Sequence, residues 1–126
     1  MEVKILEFHG GKEEDRTKII ENTINALLKE LGANINLNDC AQSESENQNL
    51  LNTLKIIISL WYETGQYIGF KKLIQVKVFR NSDIGKLELE MNTWISKNKI
   101  KPIQKTQSLG TRHATFLVFH KVKEDK

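Results

Sequence analysis

The stretch IQVKVFRNSDIGKLELEMNTWI, residues 74–95, decides the fold because it changes from a strand period to a helix period within a few residues. Ser82 or Asp83 can accept the first free backbone N–H groups of a helix that begins there. We therefore predict a strand over 73–79 that runs directly into a helix over 83–98. The strand alternates apolar residues at Ile74, Val76 and Val78. The helix carries one apolar stripe, made of Ile84, Leu87, Met91, Trp94 and Ile95.

The chain before this stretch predicts one strand and two helices. Residues 3–8 alternate as a strand, and residues 12–31 have a helical stripe with Gly32 as a natural stop. The Asn-, Ser- and Glu-rich segment 33–49 predicts a long polar loop. A second helix then extends to about Gly65. Its predicted apolar face consists of Leu50, Leu51, Leu54, Ile57, Ile58 and Trp61.

The chain after it predicts two further strands. Residues 100–105 form the first, and Pro102 places it at a sheet edge or at the start of a strand, because proline cannot donate to a ladder. A hairpin over 107–113 leads to a last strand over 114–122. That strand is apolar on both faces, which indicates a central strand or one covered by a partner. The order β-α-α-β-α-β-β predicts an α+β fold with a mostly antiparallel sheet packed with helices.

The length of the chain predicts a single α+β domain over 1–126. Within it, residues 1–70 would supply the N-terminal strand and two helices, and residues 71–126 a β-α-β-β core. The predicted edge at Pro102 and the doubly apolar last strand favour a homodimer or a higher homo-oligomer.

Charge is distributed unevenly along the chain. Residues 1–69 hold six Lys and Arg against eleven Asp and Glu, a balance of −5, whereas residues 70–126 hold thirteen against five, a balance of +8. A basic half favours an anionic partner: a nucleotide, a nucleic acid, or the acidic half of a sister subunit. A solvated basic surface accounts for the same pattern equally well.

The side chains that carry most enzyme chemistry are sparse. His9, His113 and His120 are far apart, and no pair of ligands has the spacing of a metal site. Cys40 has no neighbouring base, and one cysteine cannot form an internal disulfide. We therefore expect no metal, no cofactor and no catalytic residues. No signal peptide or membrane span is evident, so the expected location is cytoplasmic.

A neutral and basic set could instead bind a ligand. Phe79 could stack on a base, Arg80 or Arg112 could bind phosphate, and Asn92 could contact a ring edge or a ribose hydroxyl. Alternatively, Phe79 is core, Asn92 caps a loop and the arginines are solvated. Trp61 and Trp94 are expected to be packing anchors. The complete predicted ligand set is Phe79, Arg80, Asn92, Gln107, Ser108, Thr111, Arg112 and His113.

The stretch QVKVFRNSDIGKLELEMNTWISKNKIKPIQKTQS, followed by ATFLVFHK, resembles the small Cse-type sporulation family of bacilli and clostridia and its phage-borne relatives. Glu88, Asn92 and Trp94 supply the family's E-x-x-x-N-x-[WF] pattern. The resemblance covers residues 74–126. Phage proteins of this size and look include the Thoeris anti-defence sponges, which assemble from dimers. These bind a cyclic ADP-ribose signal, and some bind the cyclic oligonucleotides of CBASS defence, without cleaving them.

The resemblance therefore implies a phage or prophage protein that sequesters a cyclic nucleotide signal in the host cytoplasm, with pockets formed between protomers. The alternative is a small non-enzymatic structural or regulatory protein that acts through protein–protein or DNA contacts. We do not expect a dedicated nucleic-acid interface, because the chain has no zinc finger, RNP1-like pattern or short-turn helix-turn-helix.

Overall fold

The computed structural model describes residues 1–46, 53–65 and 73–122. Two helices and six strands follow one another in this part of the chain. In order they are β1 (Glu2–His9), α1 (Glu13–Leu31), β2 (Ile35–Ser45), β3 (Lys55–Thr64), β4 (Ile74–Asn81), α2 (Ile84–Asn98), β5 (Gln104–Leu109) and β6 (Ala114–Lys121).

The strands form two antiparallel sheets of three. Sheet A has the order β1-β3-β2 and sheet B the order β4-β6-β5. Each half of the chain is therefore a β-α-β-β unit in which the last strand lies in the middle of its sheet. The predicted α+β class with antiparallel pairing is confirmed.

The predicted element order is wrong between α1 and β4. The segment predicted as a long loop, 33–49, contains β2, and the predicted second helix is β3. The apolar spacing that suggests a helix overlaps a second pattern, in which every other residue of β3 is buried and Ile56 and Ile58 are β-branched. The buried residues are Ile56, Ile58, Leu60 and Tyr62. Leu50 and Leu51 of the predicted stripe lie outside the described residues.

The strand and helix of the deciding stretch are confirmed. Asp83 caps α2, and its Oδ1 accepts a hydrogen bond of 3.1 Å from the backbone N–H of Lys86. β6 is the predicted central strand. β5 begins at Gln104, after Pro102, and runs through half of the predicted hairpin, which shortens the loop to 110–113.

One core joins the two halves. The buried face of α1, formed by Ile20, Ile24 and Leu28, packs together with buried residues of β2, β3, β4 and β6. α2 covers a smaller cluster on the opposite face of sheet B, where Leu87 contacts Phe79. Among the described helices, none has the length and apolarity that a membrane span requires.

Candidate functional site

The eight predicted ligand residues do not share one surface. Phe79 is only 1% exposed and lies under α2, where its ring makes an edge contact with Trp94 at a centroid distance of 5.5 Å. Stacking on a base would require the core to open. Arg80, the next residue along β4, points to the other face of sheet B, because side chains alternate along a strand.

Arg80 is held inside the protein by two carboxylates. Its Nε donates to both carboxylate oxygens of Glu13, at 3.1 and 2.9 Å, and its Nη1 lies 2.8 Å from Oε2 of Glu44. Its Nη1 also donates to the hydroxyl of Thr115. The Arg80 side chain is 2% exposed and that of Glu44 is 0% exposed. The guanidinium is thus neutralised internally and is not presented to a ligand.

Ser108 and His113 belong to the same network, at its partly exposed side. The Ser108 hydroxyl donates to Oε1 of Glu44 at 2.8 Å, and His113 Nδ1 lies 3.4 Å from Oε1 of Glu13. Burial alone would raise the pKa of Glu13, but its hydrogen bonds and charge interaction with Arg80 lower it overall. Burial opposes the Arg80 charge, yet the two carboxylates raise the pKa of Arg80. The network therefore links α1 and β2 to sheet B.

Asn92 and Gln107 lie on what we call the apolar groove, which runs between α2 and the β5–β6 pair. It consists of two adjoining cavities of about 290 and 640 Å³ that share Met91, Ile95 and Phe116. Asn92 lines the smaller cavity and Gln107 the larger one. The remaining predicted residues, Thr111 and Arg112, are exposed in the loop between β5 and β6.

A separate cavity, which we call the basic pocket, lies where α2 ends. Its volume is about 410 Å³, and its described lining contains no acidic residue. No described carboxylate forms an ion pair with its lysines. The lining consists of Lys99, Ile100, Lys101, Pro102, Ile103, His120, Lys121 and Val122. Sequence reasoning missed this site, although the alternating lysines of the segment SKNKIKPIQK were a visible signal.

The end of α2 shapes the basic pocket. Lys99 terminates the helix in the left-handed region, at φ 52° and ψ 48°, a conformation that non-glycine residues adopt only at some energetic cost. This reversal brings the 99–103 segment against the last residues of β6. His120 is held there by an edge contact with Trp94, whose ring centroid lies 5.4 Å away.

The electrostatics of the basic pocket favour an anion. The partial negative charge at the end of α2 offsets some of the Lys99 charge, but that effect is confined to the last turn of a helix. Lys101 and Lys121 lie beyond it. Each ammonium group offers three hydrogen-bond donors, and the apolar floor of the pocket can cover a ring.

The described residues offer little for metal or thiol chemistry. No group of three His, Cys, Asp or Glu side chains within 1–46, 53–65 and 73–122 could hold a metal ion. Cys40 is buried on β2 rather than placed in the predicted loop. Burial, followed by the nearby charge of Asp39, raises the pKa of its thiol to about 11, so it is protonated at neutral pH.

Comparison with protein-family models, with curated proteins and with solved structures finds no match for this chain.

Proposed function

We propose that this protein is a non-enzymatic binding protein that captures a phosphate-bearing small molecule in the basic pocket. The observation that carries the proposal is the convergence of Lys99, Lys101 and Lys121 on one cavity whose described lining has no acid. The ligand class we propose is the cyclic nucleotide signal that the resemblance of residues 74–126 implies. Sequestration without cleavage, in the cytoplasm of a phage host, is part of the same proposal.

The shape and chemistry of the pocket support such a ligand. Its volume of about 410 Å³ lies within the usual range of small-molecule sites. Lysine ammonium groups bind phosphate as point charges, and the apolar surface of Ile100, Pro102 and Ile103 can cover a base or a ribose. His120 Nδ1 lies 3.2 Å from the carbonyl oxygen of Lys121 and donates to it, which orients the ring and leaves Nε2 of the neutral imidazole as a hydrogen-bond acceptor.

A thermal-shift screen of the purified protein tests the proposal. The arms are cyclic ADP-ribose isomers, cyclic di- and trinucleotides, inorganic phosphate and a short DNA duplex. A ligand that binds the native state raises the melting temperature by mass action. We expect a shift with a cyclic nucleotide that exceeds the shift with phosphate, and intact ligand released on heating. If no nucleotide shifts the protein, or the released ligand is cleaved, the proposal is wrong.

The apolar groove favours a second candidate, a regulatory protein that binds another protein. Two adjoining cavities with a largely apolar lining, around the half-exposed Phe116, are typical of a surface that accepts apolar side chains. Phe116→Glu separates the two functions, because it charges the groove and leaves the lysines of the basic pocket unchanged. Unaltered nucleotide binding in this variant would assign the nucleotide to the basic pocket.

A further inference from the structure

Three of the four outer sheet edges are covered within the molecule. The edge of β4 is capped by α1: Asn25 exchanges hydrogen bonds of 2.7 and 3.2 Å with the backbone of Val76, and Glu21 accepts a bond of 3.0 Å from the N–H of Val78. The edges of β2 and β5 lie against each other, joined by side-chain bonds such as Gln42 to Ser108 at 2.7 Å.

Among the described residues, the outer edge of β1 is the exception. β1 pairs with β3 on one side, and no other described strand pairs with its opposite edge. Its edge therefore presents a row of backbone donors and acceptors with the geometry of an antiparallel partner strand. It contains no proline and no bulge that would block such pairing.

Exposed apolar side chains concentrate beside this edge. Val3 lies directly opposite Trp61 on the outer face of sheet A, and Ile5 shares that face, because alternate residues of a strand point the same way. Met1 directly precedes the strand. Their exposed fractions are 73% for Met1, 38% for Val3, 67% for Ile5 and 42% for Trp61. A strand added at the β1 edge would extend this face and cover part of it.

We propose that the partner strand is β1 of a second copy, paired antiparallel about a two-fold axis at Val3. The two sheets A then form one continuous six-stranded sheet. A two-fold axis perpendicular to the sheet pairs each residue with one on the same face of the copy. Centring on Val3 places Lys4 opposite Glu2 of the copy twice, and Ile5 opposite Met1 of the copy twice.

Charge selects this register over its neighbours. Centring on Lys4 would set two ammonium groups opposite each other, which is destabilising. Centring on Ile5 would place Lys4 opposite Leu6 and Glu2 opposite Phe8. The register centred on Val3 pairs residues 1–5 of the two copies, and within that span each charge lies opposite its opposite and each apolar residue opposite another; residues 6–9 extend beyond the paired segment. A second copy therefore fits the edge better than an arbitrary peptide would.

A charge-swap series tests the proposal, with the dissociation constant of the dimer measured by analytical ultracentrifugation. Lys4→Glu places acid opposite acid and should weaken the dimer by about tenfold, because cross-strand attraction becomes repulsion at two sites. Lys4→Glu combined with Glu2→Lys exchanges the two charges and should restore most of the affinity. Lys18→Glu, the same charge change at an exposed position of α1, should leave it unchanged.

The proposal would be overturned if the wild-type chain stayed monomeric at every protein concentration used in the ultracentrifugation experiments. So would a double variant no tighter than Lys4→Glu, or a Lys18→Glu variant that is equally weakened. These outcomes are independent of nucleotide binding, because the basic pocket is built from residues 99–103 and 120–122, which are not part of sheet A.

Cysteine cross-linking tests the register separately. Val3→Cys places two thiols across the two-fold axis, within reach of a disulfide, whereas Ile5→Cys places each thiol opposite Met1. We expect a cross-linked dimer with Val3→Cys and far less with Ile5→Cys. The opposite result would overturn the register centred on Val3. The wild-type chain is the control, because its Cys40 is buried.

Discussion

Arg80 Nη1 and Glu44 Oε2 form an ion pair of 2.8 Å in which neither side chain is more than 2% exposed. The pair joins β4 to β2, and thereby sheet B to sheet A. The remaining oxygen of Glu44 accepts hydrogen bonds from Ser108 and Thr115, at 2.8 and 3.0 Å. A buried charge is tolerated only when such partners compensate its lost hydration. The two halves of the chain must therefore pack together in an arrangement that brings Arg80 against Glu44.

Removing one partner of this pair should destabilise the protein severely. Arg80→Met leaves Glu44 buried without its counter-ion, and we expect a loss of about 3–5 kcal/mol in the free energy of unfolding. Urea denaturation measures it. Arg112→Met, at an exposed arginine, is the matched control and should change stability by no more than about 0.5 kcal/mol. Equal stability of the two variants would show that the Arg80–Glu44 pair is not buried in solution.

Gly110 lies against the same carboxylate. A Cβ atom added at Gly110 would meet Glu44 Oε2 at 2.5 Å, and Glu44 cannot move aside without losing its bonds to Arg80 and Ser108. We expect Gly110→Ala to destabilise the fold by about 1–3 kcal/mol. Gly85→Ala is the control, because its added Cβ would come no closer than 3.4 Å to any neighbour, and alanine favours a helix by up to about 1 kcal/mol.

Acid should weaken the network through Glu13. Because its pKa in the folded protein lies below the ordinary value of 4.5, its contribution is present above that value and is lost as pH falls through the folded pKa. Glu13→Gln carries no titrating group. The stability difference between wild type and Glu13→Gln should therefore be largest near pH 7 and shrink below about pH 4.5.

Denaturation at pH 7, 5, 4 and 3 measures this difference. Arg80, Arg16 and His113 face the Glu13 carboxylate. The substitution His113→Asn, made in the wild-type protein and in the Glu13→Gln variant, removes the contribution of the imidazole to the stability difference. A difference that stays constant from pH 7 to pH 3 would contradict the assigned role of Glu13.

Local patterns predicted part of the fold and failed at one segment. The deciding stretch gave β4 and α2 correctly, because its period changes abruptly and Asp83 marks the boundary. The failure at β3 came from a short apolar run, in which Leu54, Ile57, Ile58 and Trp61 fit a helical stripe. Tertiary context resolves it, because β3 is the central strand of sheet A and needs an alternating buried face.

The ligand set could not be predicted for a related reason. The sequence shows that Arg80 is charged, but its two carboxylates come from 67 and 36 residues away in the chain. Glu44 lay in the predicted loop, so its approach to Arg80 was invisible. The lysines of the basic pocket are close in sequence at 99 and 101, yet Lys121 joins them only through the position of β6.

Replacing Trp61 and replacing Trp94 should change stability by different amounts, although the sequence predicts both to be packing anchors. Trp94 is half-buried between Phe79 and His120, so Trp94→Ala should cost about 2–3 kcal/mol, somewhat less than a fully buried aromatic. Trp61 is 42% exposed, which corrects its predicted role as a packing anchor. Trp61→Ala should cost about 0.2–1 kcal/mol, the value of a cross-strand pair. Denaturation of both variants measures the contrast, and equal losses would contradict it.

Lys99 offers a variant in which stability and binding should change in opposite directions. Lys99→Gly relieves the left-handed strain at the end of α2, where glycine is the preferred residue, and should stabilise the protein by up to about 1 kcal/mol. The same change removes one ammonium group from the basic pocket. It should weaken binding of a phosphate-bearing ligand by about tenfold, the value of one hydrogen bond to a charged group.

Lys99→Arg provides the comparison, because it retains both the charge and the strain. It should leave stability and binding near the wild-type values. Lys86→Gln is the second control: it removes a charge at an exposed position outside the pocket and should leave binding unchanged. Thermal unfolding gives the stability, and titration calorimetry with the ligand found by the screen gives the affinity. If the strained backbone at Lys99 is retained because it positions a binding group, the Lys99→Gly variant should be more stable than wild type and should bind the ligand more weakly. If that variant is more stable and binds as tightly as wild type, Lys99 is no part of the site.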